Sequence, residues 1–157
     1  MLENKNLTKF INQQFSKSQS AVIIEKINLY KEMLLDENDR INLISKTTAD
    51  DIEDRHFLDS IQLITLIGDK AHSLVDIGTG AGLPGILLAI GGCKSVYLVE
   101  KQAKKCDFLN RVNNKLGLDM NILNLRIEDI EDRQFDYVVS RAFAKLNKII
   151  SYVVSKT

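Results

Sequence analysis

One acid and four closely spaced glycines form the stretch with the clearest chemical potential. Asp76 is followed by Gly78, Gly80, Gly82 and Gly85. Glycine has no Cβ, so it reaches positive φ angles and lets a ligand lie against the backbone. The N–H groups at the start of a following helix are free to bind that ligand. The spacing predicts a small-molecule loop, and the alternative is a βα turn that holds no ligand.

Two apolar runs flank residues 78–85, which we name the glycine loop. Leu74–Ile77 is too short for a helix, whereas Ile86–Ile90 opens a run long enough for one. This order predicts a strand, a tight loop and then a helix.

The glycine loop overlaps the dinucleotide fingerprint but differs from it in two details. Gly80, Gly82 and Gly85 fit the G-x-G-x-x-G spacing, which alone is a weak signal. Asp76 lies inside the strand, where dehydrogenases are usually apolar, and Pro84 suits the first turn of the following helix. An acid followed by G-x-G-x-G resembles motif I of the S-adenosylmethionine-dependent methyltransferases. That resemblance implies a loop backbone that holds the methionine part of the cofactor.

A second acid ends the next predicted strand, Ser95–Val99. Glu100 follows Gly78 by about 20 residues, the spacing at which a βαβ unit places a carboxylate on the ribose hydroxyls. A carboxylate can accept two hydrogen bonds from a cis-diol. Glu100 is therefore predicted to bind a ribose, and the alternative is an ordinary acid at the end of a strand.

The third predicted strand, Asn121–Leu125, leads into Ile127, Glu128 and Asp129. In methyltransferases of this class, a polar residue just after the third strand meets the adenine amino group. The resemblance implies that Glu128 or Asp129 accepts that bond and that Ile127 lies on the ring face. The alternative is a pair of acids that complements the dipole at a helix N-terminus.

Arg141 follows the fourth predicted strand, Phe135–Ser140. In open α/β sheets, ligands bind at the rim formed by the carboxyl ends of the strands. An arginine at that rim can pair with a carboxylate or a phosphate through two hydrogen bonds. Arg141 is therefore a candidate binding residue.

Helices are predicted before the first strand. Residues 1–46 carry helical apolar spacing, with Ser18 or Ser20 as the cap of a second helix. A polar break is predicted at Asp36–Arg40, and a third helix at residues 47–67. These helices are expected to cover one edge of the sheet or to shape the substrate side.

A further helix is predicted from about Gln102 to Leu116, with Gly117 as its C-terminal cap. Its exposed side carries the basic residues Lys101, Lys104, Lys105 and Arg111. They form either a solvated charged face or a patch that contacts phosphate.

Length and composition indicate a single domain, residues 1–157, with a helical part (1–70) and a cofactor-binding part (71–157). Lysine plus arginine and aspartate plus glutamate both number 21, so bulk charge does not indicate a polyanion partner. No apolar run approaches the roughly 20 residues of a membrane span. Two cysteines are too few for a disulfide framework and lack metal-ligand spacing. We expect a cytoplasmic protein that binds no metal.

Four segments together carry a more specific resemblance. They are Arg55–Ser60, Val75–Gly85, Phe108–Val112 and Val139–Ala144. In this order they resemble the bacterial methyltransferase family that makes N7-methylguanosine in 16S ribosomal RNA, also called glucose-inhibited division protein B. The resemblance implies an α/β, Rossmann-like class I fold with N-terminal helices. It also implies S-adenosylmethionine as cofactor and 16S rRNA or the small ribosomal subunit as partner of a monomeric enzyme, with no DNA or membrane partner.

The resemblance assigns cofactor contacts along the whole predicted sheet. They fall on Gly78, Gly80, Gly82, Leu83, Glu100, Ile127, Glu128 and Arg141. Guanine N7 has an available lone pair and no proton, so methyl transfer needs no general base and depends on positioning. Arg141 and His56 are candidates for holding the substrate, and Arg126 is a weaker one. The alternative for His56 is a helix residue bonded within the core.

The class usually has a seven-stranded sheet in the order 3-2-1-4-5-7-6, whereas four strands are predicted here. We therefore expect a shortened chain that lacks the C-terminal strands and that retains cofactor binding while methylation is weakened or lost. One rival interpretation is an NAD(P)-binding Rossmann domain. The other is a non-catalytic relic that acts as an interaction protein through its fourth strand.

Overall fold

Four parallel strands form one sheet at the centre of the fold. The structure is a computed structural model that describes residues 2–130 and 133–141. The strands are β1 (Ser73–Ile77), β2 (Ser95–Val99), β3 (Asn121–Leu123) and β4 (Tyr137–Val139), in the spatial order β3-β2-β1-β4. That order and the parallel pairing confirm the predicted α/β, Rossmann-like fold.

Strand β1 lies at the centre of the sheet and is buried on both faces. Val75 pairs with Tyr97 of β2 and with Val138 of β4. Both Val75 and Ile77 are fully buried, as expected for a parallel sheet covered on two sides. Because all four strands run the same way, their carboxyl ends meet at one edge, and the described residues that directly follow each strand lie there.

Two long helices precede the sheet, α1 (Lys5–Gln14) and α2 (Lys17–Ile41). Ser16 caps α2 in a reciprocal capping box with Gln19, so the predicted caps were wrong by two to four positions. The predicted polar break was also wrong. Helix α2 continues because Glu37 and Asn38 are buried and bonded: Glu37 pairs with Arg111 at 2.7 Å, and Asn38 accepts the N–H of Ile44 at 2.8 Å.

The segment predicted as one helix over residues 47–67 is divided into four short pieces. They are α3 (Lys46–Ala49), a π-helix (Glu53–Leu58), α4 (Asp59–Ile61) and a 3₁₀ helix (Gln62–Leu66). Tertiary contacts account for the irregular start, because the buried Glu53 carboxylate accepts the N–H groups of Glu3 and Asn4 and pairs with Lys31 at 2.7 Å. The pKa of Glu53 is lowered, since these partners outweigh the cost of its burial.

Helices α5 (Gly85–Ile90) and α6 (Ala103–Leu116) connect the strands. Ile86, Leu87 and Leu88 of α5 are fully buried. Gly117 ends α6 with a φ of 58°, which confirms the predicted cap. Within residues 2–130 and 133–141, none of the helices combines the length and the apolar composition needed to span a bilayer.

Candidate functional site

The glycine loop joins the carboxyl end of β1 to α5 in a left-handed conformation at three positions. The φ angles are 65° at Gly78, 58° at Gly80 and 100° at Gly82. The N–H of Thr79 donates to the carbonyl of Val99 at 3.1 Å, which attaches the loop to the end of β2. Only glycine adopts these angles without strain, so the loop's path requires the sequence spacing.

The Asp76 side chain connects the two ends of this loop through hydrogen bonds. Its Oδ2 accepts the Thr79 hydroxyl at 2.6 Å and the Gly85 N–H at 2.8 Å. Its Oδ1 has no hydrogen-bond partner within the described chain. Burial raises the pKa of Asp76 to about 6, although the two hydrogen bonds act in the opposite direction.

Gly82 and Gly85 are closely packed against neighbouring side chains and leave no space for a ligand at their Cα atoms. A Cβ at Gly82 would lie 2.1 Å from Cδ1 of Ile86, and a Cβ at Gly85 would lie 2.3 Å from Cδ2 of Leu98. Gly82 and Leu83 are buried and do not line the neighbouring cavity, although both are predicted cofactor contacts. In this structure their packing determines the shape of the loop.

A cavity of about 410 Å³ opens beside the loop at the carboxyl edge of the sheet. Five of the predicted cofactor residues line it: Gly78, Gly80, Glu100, Ile127 and Glu128. Further lining residues come from the same segments, namely Val99, Lys101, Gln102, Lys105, Leu125 and Arg126. Val99 and Leu125 were predicted only as strand residues. Their position at the carboxyl ends of the predicted strands was the signal that could have placed them at the cavity.

Glu100 is fixed at this cavity by two backbone groups. Its Oε2 accepts the N–H of Gly80 at 3.1 Å, and its Oε1 accepts the N–H of Gln102 at 2.9 Å. The residue is buried, and each carboxylate oxygen retains a further lone pair for a ligand. The arrangement suits recognition of two neighbouring hydroxyl groups.

Arg141 and His56 meet on the other side of β1. Ser140 donates to the carbonyl of Ile77 at 3.0 Å, so Arg141 is level with Gly78 at the same edge of the sheet. A nitrogen of the Arg141 guanidinium lies 2.9 Å from Nδ1 of His56. Its other terminal nitrogen donates to the carbonyl of Arg55 and lies 3.6 Å from Asp59.

This contact indicates the tautomer of neutral His56. Guanidinium has only donors, so Nδ1 accepts and the proton of the neutral ring is on Nε2. Burial, followed by the positive charge of Arg141, lowers the pKa of His56. The Nε2 atom is buried without a hydrogen-bond partner in the described residues. Neither His56 nor Arg141 lines the 410 Å³ cavity, so the predicted residues divide into a cavity group and a His56–Arg141 group.

Tyr30 is a residue that the sequence placed only on the apolar face of a helix. It is fully buried under the glycine loop and donates from its hydroxyl to the carbonyl of Ala81 at 2.8 Å. The described residues include no group of three or more metal-ligating side chains.

Comparison with known proteins gives a family and relatives over most of the chain. The family model "GidB: rRNA small subunit methyltransferase G" matches residues 23–157. A relative from Paramagnetospirillum magneticum, named ribosomal RNA small subunit methyltransferase G, is 40% identical over 133 residues, which are 85% of this chain and 65% of the relative. A relative of the same name from Rickettsia prowazekii is 42% identical over 130 residues, or 83% of this chain and 68% of its own length. The chain thus spans about two thirds of the length of these curated relatives.

Solved structures agree on the fold. A mutant of MtNAS in complex with S-adenosylmethionine superposes with a TM-score of 0.53 at 18% identity, covering 88% of this chain and 57% of that chain. A second structure of the mutant gives a TM-score of 0.56 at 19% identity, covering 88% and 56%.

Proposed function

We propose, from the premise that the chain belongs to the GidB family of rRNA small subunit methyltransferase G proteins, that it transfers a methyl group from S-adenosylmethionine to N7 of a guanosine in 16S rRNA. One observation carries the proposal beyond the family. Gly78, Gly80, Glu100 and Ile127 line one cavity, and the His56–Arg141 pair lies at the same carboxyl edge of the sheet.

The residues at the cavity fit the proposed cofactor. A Cβ at Gly80 would meet only the carbonyl of Gly78 within 4 Å, at 3.9 Å, so the absent side chain leaves room beside the loop. A volume of about 410 Å³ lies within the usual range of small-molecule sites. Glu100 would hold the ribose hydroxyls, Ile127 the face of the adenine ring and Glu128 its amino group. When bound, S-adenosylmethionine supplies an electrophilic methyl group on a sulfonium centre.

The chain's own residues then contribute by positioning. Guanine N7 carries its lone pair without deprotonation, so neither His56 nor Arg141 has to act as a base. Neutral His56 accepts a hydrogen bond from Arg141, whose positive charge lies at the carboxyl edge of the sheet, after β4. Arg141, held by His56, would orient the base or a phosphate of the substrate. Orientation of this kind can account for much of the rate of a direct displacement.

Cofactor choice is the first test. The full chain is titrated calorimetrically with S-adenosylmethionine and, separately, with NAD, alongside the Gly78→Arg and Gly68→Arg variants. We expect binding of the first cofactor alone and its loss in Gly78→Arg. Gly68→Arg is the matched control, because Gly68 is exposed and its Cβ would meet only the Tyr137 hydroxyl at 3.6 Å. Binding of NAD instead would overturn the proposal in favour of an NAD(P)-binding domain.

The position of the methyl group is the second test. The chain is incubated with labelled cofactor and 16S rRNA from a strain that lacks the modification, and the RNA is digested to nucleosides for mass spectrometry. We expect N7-methylguanosine. A cooperatively folded chain that binds no cofactor and transfers no methyl group would favour the interpretation as a non-catalytic interaction protein.

A further inference from the structure

Three cationic side chains from two separate segments meet at the cavity. Lys101 precedes α6 and Lys105 lies in its first turn, whereas Arg126 follows β3, and all three line the cavity. Lys101 and Arg126 are exposed, and Lys105 is half-buried. Sequence spacing alone groups the two lysines with others on α6, and it is the fold that adds Arg126 to them.

None of these three cations takes part in an ion pair within the described residues. Other cations of the chain are used by the fold: Arg111 pairs with Glu37 at 2.7 Å, and the Arg133 guanidinium lies 4.8 Å from the Tyr97 ring centroid. Arg111, one of the four basic residues predicted on the exposed side of α6, is therefore already paired within the fold. The Glu100 carboxylate, which lines the same cavity, is held by backbone N–H groups rather than by a lysine.

The lining of the cavity carries a small excess of positive charge. The whole chain has a formal net charge of zero, whereas three cations and two acids, Glu100 and Glu128, line the cavity. A local excess of one sign attracts a partner of the opposite sign, even when the net charge of the protein is zero. An anion at the cavity mouth would neutralise these three side chains, which form no ion pair with the residues that the structure describes.

We propose that Lys101, Lys105 and Arg126 form a cationic rim that binds backbone phosphates of the RNA substrate. The inference rests on the proposed function. A guanine base that reaches the methyl group of a cofactor bound in this cavity would bring its neighbouring phosphates to the mouth of the cavity. Lysine acts there as a flexible point charge, and arginine can hold a phosphate through two hydrogen bonds. The rim therefore contributes affinity and orientation without reading the RNA sequence.

The experiment measures RNA affinity as a function of salt. Binding of unmodified 16S rRNA is followed by fluorescence anisotropy at KCl concentrations between about 50 and 200 mM, the range in which counterion release dominates. The full chain is compared with Arg126→Gln, with the combined Lys101→Gln/Lys105→Gln variant and with Lys115→Gln. Lys115 is the matched control, because it is exposed on the last turn of α6 and does not line the cavity.

Each lost phosphate contact should reduce the slope of log K against log salt by about 0.7, the value for single-stranded nucleic acid. We expect reduced slopes in the rim variants and a wild-type slope in Lys115→Gln. Unchanged slopes in a chain that methylates RNA would overturn the rim and leave the proposed function intact. So would a loss of cofactor affinity without a change in slope, because the cations would then hold the cofactor. Reduced slopes in a chain that transfers no methyl group would support the rim and overturn the proposed activity.

Discussion

The hydroxyl of Tyr30 donates a 2.8 Å hydrogen bond to the carbonyl of Ala81, the residue between Gly80 and Gly82. The Tyr30 ring also stacks on Phe57, with 5.4 Å between ring centroids. Phe57 belongs to the π-helix that carries His56. One buried side chain of α2 therefore contacts both the glycine loop and the segment that holds the His56–Arg141 pair.

Tyr30→Phe should weaken both stability and cofactor binding. The ring and its stacking on Phe57 remain, but the Ala81 carbonyl loses its buried donor, which costs about 1–3 kcal/mol. Denaturant unfolding and calorimetric titration with S-adenosylmethionine measure the two effects. Tyr97→Phe is the control, because Tyr97 contacts Arg133 and Phe135 through its ring. Equal behaviour of the two variants would show that the hydroxyl does not position the loop.

Asp76→Asn should remove a pH dependence of stability. The folded pKa of Asp76 is raised from 3.8 to about 6, so the folded state retains this proton longer than the unfolded state does. Its contribution to stability is therefore complete below about pH 4 and is lost as the pH rises to about 6, an effect of roughly 3 kcal/mol.

Urea unfolding of wild type and Asp76→Asn at several pH values isolates this contribution. Asp136 and Glu53 have lowered pKa values and change stability in the opposite direction, but they are common to both proteins. The difference between the two proteins is thus the informative quantity. A difference that does not vary between pH 4 and 6 would contradict the assignment to Asp76.

Arg141→Gln should raise the pKa of His56 and slow methyl transfer. Removal of the guanidinium eliminates a positive charge next to Nδ1, so protonation of the ring becomes easier, although burial still opposes it. An NMR titration of the imidazole signals measures the shift, with His72 as internal reference. Transfer to 16S rRNA should fall in kcat while the affinity for S-adenosylmethionine falls less. An unchanged His56 titration would mean that the pair does not form in solution.

Local signals placed the four strands, α5 and α6 in the cofactor half of the fold, although β3 and β4 are shorter than predicted. Strand β2 has the predicted bounds, Ser95–Val99, and α6 begins and ends within one residue of its prediction. Apolar spacing and a C-terminal glycine depend on neighbours within a few residues, so they can be read along the chain. The same holds for Gly78 and Glu100, whose separation follows from the length of one βαβ unit.

Long-range contacts account for the errors. The π-helix and its neighbours replace a predicted continuous helix, and Glu53 at its start is bonded to backbone 49 and 50 residues away. Tyr30 contacts Ala81 across 51 positions, which no spacing pattern encodes. The partition of the predicted site into the cavity and the His56–Arg141 pair likewise depends on how β4 is placed beside β1.

Glu100→Gln should be the most informative change at the cavity. Glutamine retains one acceptor oxygen but directs an amide N–H₂ toward one of the two backbone donors, Gly80 N–H or Gln102 N–H, that the carboxylate satisfies. The ribose hydroxyls would also lose an ionised acceptor. Hydrogen bonds to charged groups contribute about 1.5–3 kcal/mol, so affinity for S-adenosylmethionine should fall about 10- to 100-fold.

Calorimetric titration measures this loss, and Asp107→Asn is the matched control, since Asp107 is an exposed acid of α6 that does not line the cavity. Glu100→Asp separates charge from reach, because the shorter side chain keeps the charge but draws the carboxylate back from Gly80 N–H. If both Glu100 variants bind the cofactor like wild type, the carboxylate only braces the loop. An intermediate loss in Glu100→Asp would show that its charge and its distance from the loop both contribute to recognition of the ribose.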